Sequence, residues 1–165
     1  MVLIMAKFEV GKGLDDYLAD LQKMDQLTDA MCGRAIYQGA KIVADEVRKG
    51  IEGLPEAKKS SKNQFLTKGV TKSQKEGLLE GFGIAPKQNK DGLIHVKIGF
   101  DGYNSTVTEK YPNGQPNSMI ARTVESGNSW HQKTPFIAPA CRSARDKAEN
   151  AMKLSIDEDI QQIMR

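Results

Sequence analysis

The sequence predicts an α+β protein, a small antiparallel sheet packed against two long amphipathic helices with a short N-terminal helix beside them. Three stretches carry that prediction. In residues 28–54, Ile36, Ala40, Val43, Val47, Ile51 and Leu54 recur at near-helical spacing. From residue 135 onward, Ile137, Cys141, Ala144, Ala148, Met152, Ile156, Ile160 and Ile163 recur every three or four residues with charge between them. In residues 92–100, Ile94, Val96, Ile98 and Phe100 alternate with His95, Lys97 and Gly99, the pattern of a strand with one covered face.

Taken in order, residues 7–10 alternate with Phe8 and Val10 on one side and end at Gly11-Lys12-Gly13, which predicts a first strand and turn. Leu14, Tyr17, Leu18, Leu21 and Met24 then mark the short helix, with Asp15, Asp16 and Asp20 near its N-terminus, where the helix dipole favours acid. Leu27-Thr28 reads as the start of the first long helix and Gly53-Leu54-Pro55 as its stop. Gly33 and Gly39 weaken its intrinsic propensity by about 1 kcal/mol each, so packing has to supply the stability. Residues 56–75 are polar and lysine-rich, an exposed loop by composition, and residues 74–84 close it as a short helix or a strand. Asp101-Gly102 is read as the turn that sends residues 103–111 back as the partner strand. Residues 112–117 are a loop by composition, and residues 119–124 are a further short strand or helical turn. Thr134-Pro135 and Pro139 suit the first turn of the last helix, where a missing N–H costs nothing.

The totals narrow the field. A chain of 165 residues is expected to form one domain, residues 1–165, since it can bury one core and little more. With 24 basic and 21 acidic residues the balance is only +3, without the dominant basic surface of a dedicated nucleic-acid binder. Cys32 and Cys141 lie far apart on apolar helix faces and are read as packed, reduced thiols. Residues 1–6 are apolar but lack a basic leader, and no run reaches membrane-spanning length, so the chain is expected to be soluble and made in the cytoplasm.

Residues 123–140 gather the unusual side chains, including the only Trp and one of two His. His131 and Cys141 flank the segment, yet their spacing fits no local signature of thiol chemistry, and Cys141 falls on the apolar side of its helix. The segment lacks a G-x-S-x-G elbow, Gly11-Lys12-Gly13 lacks P-loop spacing, and two histidines without clustered carboxylates suit no metal. No catalytic, cofactor-binding or metal-ligating residue is therefore assigned. Glu125 reads as an inter-subunit salt bridge or hydrogen bond at a turn, or as a solvated charge. Trp130 and Phe136 read as anchors of a subunit contact or as a cap over the sheet end. Lys58, Lys59, Lys62, Lys68 and Lys72 are candidates for contact with DNA or an acidic partner surface, or serve only solubility. A small basic nucleic-acid-binding protein acting through residues 58–75 is thus the alternative to a structural role.

The order of these elements, followed by Glu125-x-Gly127-x-Ser129 and then Pro135-Phe136-x-x-Pro139-Ala140, resembles the small head-tail joining proteins of long-tailed bacteriophages. These are also called neck, tail-completion or minor morphogenesis proteins. Phe8-Glu9-Val10 and Gly13-Leu14 support the match. Asn128 stands where that family commonly has Thr, and Trp130-His131 is bulkier than its usual residues there.

The resemblance implies a non-enzymatic α+β virion component without cofactor, made in the host bacterial cytoplasm and placed at the neck. It implies ring assembly with copies of itself, the connector or head-closure protein on one side, the tail tube or tail terminator on the other, and no membrane. Non-specific contact with packaged DNA is the role it leaves for the lysines. Glu125, Gly127, Ser129, Trp130, Pro135, Phe136 and Pro139 are the interface residues so implied. A ring of one chain needs two unlike patches that meet, and a free sheet edge and a stiff Pro-bearing turn are the expected pair.

Overall fold

A computed structural model describes residues 12–57 and 68–164 and has the α+β architecture, four helices with a small antiparallel strand set. The strand expected at residues 7–10, the Phe8-Glu9-Val10 part of the resemblance, Lys58, Lys59 and Lys62 lie outside the described residues.

The first helix, α1, runs without interruption over Lys12–Glu52, so the expected short helix and first long helix are one. Leu27-Thr28 has the form of a helix start, but no Gly or Pro separates it from the preceding periodic run, and the backbone continues straight through. At 1.5 Å per residue, 41 residues span about 60 Å. The last helix, α4, spans Ile137–Ile163 as expected. It lies antiparallel to α1: Gly50 faces Phe136, Gly39 faces Ala148 and Met152, and Arg34 bonds Asp159 at 2.9 Å. A Cβ on Gly50 would come within 3.1 Å of the Phe136 carbonyl, so the glycines that weaken α1 locally are what let the two helices meet. Ala140, Ala144 and Ala148 form the buried side of α4, whereas Cys141 is exposed, against the expectation of a packed thiol.

Between these helices the chain makes α2 (Lys72–Gly81), then β1 (Phe82–Ile84), β2 (Gln88–Lys90), β3 (Leu93–His95) and β4 (Ile98–Phe100). Thr71 and Gln74 cap α2 reciprocally, each side chain bonding the other's backbone N–H, at 3.2 and 3.1 Å. The strand expected over residues 92–100 is real but broken, and its partner precedes it. β1 pairs with β4 and β2 with β3, both antiparallel, in one ribbon folded at Asp91-Gly92. Both turn residues have positive φ, 54° and 79°, as a two-residue hairpin turn demands. Gly92→Ala is therefore expected to cost about 1 kcal/mol in a thermal or urea melt, with Gly92→Asn nearly neutral. Three residues, 85–87, stand opposite two, 96–97, and this bulge splits the strand.

Residues 103–111 are not a return strand. They form a loop whose backbone closes on itself through Thr108 and Tyr111. Buried Asn104 pins it, donating to the Ser73 carbonyl at 2.9 Å and accepting from the Thr106 N–H and hydroxyl. Buried Asn117 donates to the Asp101 carbonyl at 2.8 Å and opens α3 (Asn117–Ser126), which replaces the short element expected at residues 119–124.

The core joins Val47 and Ile51 of α1, and Leu54 just past its end, to Leu78, Phe82, Ile120, Val124 and Phe136. Phe82 and Phe100 stack across the ribbon with ring centres 5.1 Å apart, and the Phe100 ring meets the Phe136 ring edge-on at 6.2 Å.

Candidate interaction site

The motif residues meet at the joint between α3 and α4. Gly127 ends α3 with φ 72°, and its N–H donates to the Thr123 carbonyl at 2.8 Å. A Cβ there would stand 2.9 Å from the Lys133 nitrogen, so a side chain would collide with the returning chain. Residues 128–131 then fold tightly. The Asn128 N–H bonds the His131 carbonyl at 2.9 Å, and the Trp130 N–H donates to the Asn128 side chain at 2.8 Å. Ser129 and Trp130 occupy the tip. Thr134 closes the base by donating its N–H to the Val124 carbonyl at 2.8 Å.

α4 begins with Phe136 at its cap position, a residue that cannot cap. Glu125 supplies what is missing. Its carboxylate accepts the N–H groups of Phe136 at 2.7 Å, Ile137 at 2.8 Å and Ala138 at 3.0 Å. The next residue is Pro139, which has no N–H, so one side chain and one proline satisfy the whole helix start. Burial alone would push the Glu125 carboxyl up, but the N–H groups of Ile137, Ala138 and Phe136, with Lys133 nearby, outweigh it and hold it below the ordinary carboxylate range.

This changes one assignment and decides another. Glu125, expected at a subunit contact or free in solvent, is committed inside its own chain. Of the two readings of Phe136, its position fits the cap over the sheet end: it is 4% exposed, and its ring lies edge-on against that of Phe100, the last residue of β4. Pro135 and Pro139 are exposed and set the entry of α4, so the segment is as much a structural joint as a surface. No local signal marked this cap: Thr134-Pro135 reads as an ordinary cap and first helical residue, but the helix begins two residues later, at Phe136-Ile137.

Trp130 does project outward, 76% exposed. It borders an open groove of about 510 Å³ floored by Ile120 and Val124 of α3, with Met119, Gln74 and Ala57 on its sides. His131 ties the turn across this groove, its Nε2–H donating to the Gly69 carbonyl at 2.6 Å. Lys68 and Lys72 are exposed and adjoin the groove-lining Gly69 and Thr71 in sequence, but no lysine or arginine lines the groove itself. Lys133 packs its backbone and Cβ close to Gly127, on the Glu125 side of the joint.

Among the described residues no three His, Cys, Asp or Glu side chains converge as metal ligands would, and no helix is long and apolar enough to cross a membrane. Comparisons with protein-family models, with curated proteins and with solved structures found no match.

Proposed function

We propose that this chain is a non-enzymatic component of a bacteriophage neck, assembling as a ring between the connector and the tail to complete head-tail joining. The supporting observation is the architecture of the segment that carries the family resemblance. Glu125, Gly127, Pro135 and Pro139 are used to build a stiff joint, and the joint holds Trp130 outward beside an open groove. An exposed Trp on a preorganised turn is what a binding anchor requires, since little entropy is lost when it docks. In this reading the groove and Trp130 face a neighbouring protein of the neck, with the connector or head-closure protein and the tail end as further partners.

Deleting the chain from its parent phage is expected to leave DNA-filled heads and finished tails that do not join, and supplying it in trans should restore particles. Complete, infectious particles from the deletion would overturn the proposal. A second measurement separates it from action on nucleic acid: a mobility shift abolished by replacing the lysines of residues 58–75 with Gln would favour a DNA-binding role instead.

A further inference from the structure

α1 and α4 approach each other closely at two glycines. At Gly50 the neighbour is the Phe136 backbone, whereas at Gly39 it is a side chain, the thioether of Met152. A Cβ on Gly39 would stand 2.8 Å from both Cγ and Sδ of Met152, closer than such atoms approach without displacement. Met152 therefore fills the hollow that the missing Cβ leaves. Gly39 is buried, and so is Ala148, one turn before Met152 on the same face of α4. Met152 is thus the peg that seats the second half of α4 on α1.

The peg is within reach of small reagents. Met152 is only half-buried, and with Cys32, Ala35, Ile36 and Ile156 it lines an open cavity of about 310 Å³ along the seam between the helices. A thioether reacts there as a two-electron reductant. The sulfur lone pair takes the terminal oxygen of a hydroperoxide as the O–O bond breaks, giving the sulfoxide and releasing water or an alcohol. The side chain keeps its length but gains a polar oxygen that needs a hydrogen-bond donor.

The seam supplies no good donor. Ala35, Ile36 and Ile156 are apolar, Cys32 offers at most a weak S–H donor, and the backbone N–H groups inside both helices are used in their own turns. Lys153 is the one cation on the cavity lining. It follows Met152 directly in sequence, so it leaves α4 about 100° further round the axis. An oxidised Met152 satisfies its oxygen by swinging out to water, and that empties the Gly39 hollow.

We infer that Met152 is an oxidation-sensitive lock on the α1–α4 pair: its sulfoxide leaves the hollow and loosens the second half of α4, and reduction seats it again. This concerns the helix pair alone and stands apart from the neck reading. Two other methionines provide references. Met31, 5% exposed, is shielded in the folded chain, and Met164, 43% exposed, follows the end of α4.

The test treats the full chain with millimolar hydrogen peroxide and reads peptide masses alongside melting curves. Met152 should gain one oxygen at a rate within about threefold of Met164 and about tenfold or more faster than Met31, since oxidation follows exposure. The melting temperature should fall by about 5 °C in step with the Met152 sulfoxide and recover on treatment with the two methionine sulfoxide reductases. Met152→Leu, which keeps the bulk, should melt close to the parent and lose most of the shift, although Met164 and both cysteines still react. The hollow is tested without oxidant. Gly39→Ala should lower the melting temperature of the parent but raise that of Met152→Ala, where the added Cβ meets only the Ala148 carbonyl at 3.5 Å and alanine favours the helix. A Met152 that stays unoxidised in the folded chain overturns the lock, as does a Met152 sulfoxide that leaves melting unchanged, or a Met152→Leu chain with the full shift. Equal effects of Gly39→Ala in the two backgrounds would remove the seat on which the lock depends.

Discussion

Phe136→Ala is expected to lower the free energy of unfolding by about 3–5 kcal/mol, whereas Trp130→Ala, six residues earlier in the same joint, should change it by less than about 0.5 kcal/mol. The Phe136 ring fills the space between Phe100, the end of α1 and the first turn of α4, and its removal leaves a cavity that the Gly50 contact cannot collapse into. The Trp130 indole packs on little of its own chain. Urea denaturation of the two variants at equal ionic strength measures both figures. Equal stabilities would show that Phe136 does not belong to the core as placed. Loss of assembly by Trp130→Ala at full stability would mark the indole as a contact residue.

Glu125→Ala is expected to cost about 2 kcal/mol, the upper end of the range for a helix cap, because three N–H groups lose their acceptor at once. The effect should depend on pH with a definite sign. The carboxyl is held below its ordinary value of about 4.5 in the folded chain and returns to it on unfolding. Its stabilisation is therefore fully present above pH 4.5 and fades as pH falls through the lower, folded value. Glu125→Gln keeps an acceptor but has no charge to lose, so its stability should fall less steeply over that acid range than that of the parent. A steeper or identical acid profile would contradict the capping role. Both variants should impair assembly only as far as they impair folding, which separates Glu125 from a residue that touches a partner.

Long amphipathic periods were legible in the sequence because burial writes them directly. The apolar positions of α4 and the core face of α1 through Val47 and Ile51, continued by Leu54 past its end, could be read without coordinates. The ribbon was half legible. The run from Ile94 to Phe100 alternates, but the turn was placed at Asp101-Gly102 rather than Asp91-Gly92, two dipeptides of the same composition. Only Asp91-Gly92 lies between segments that can pair, and the bulge at residues 85–87 hid the partner strand by breaking its alternation. The Thr71-Lys72-Ser73-Gln74 capping box was present in the letters and went unused.

At the candidate site, residue types singled out the segment but did not show what Glu125 does within its own chain. Glu125 and Phe136 were indistinguishable in sequence from contact residues, because whether a carboxylate faces a neighbour's cation or its own chain's amides depends on where α3 ends relative to α4. The groove itself draws on residues from position 57 to position 131, a convergence that no local pattern contains.

An unbroken α1 has one more consequence. Because the helix continues without a hinge from the buried Met31 and Ala35 to the exposed Tyr17 and Leu21, the direction in which its N-terminal part presents those side chains is fixed by helical phase alone. Inserting one residue near Ala30 would swing that face by about 100° around the axis and lengthen the helix by about 1.5 Å. Inserting seven would nearly restore the angle while adding about 10 Å of reach. The angle and the reach of this end of the helix are thus separately adjustable, one by register and the other by length.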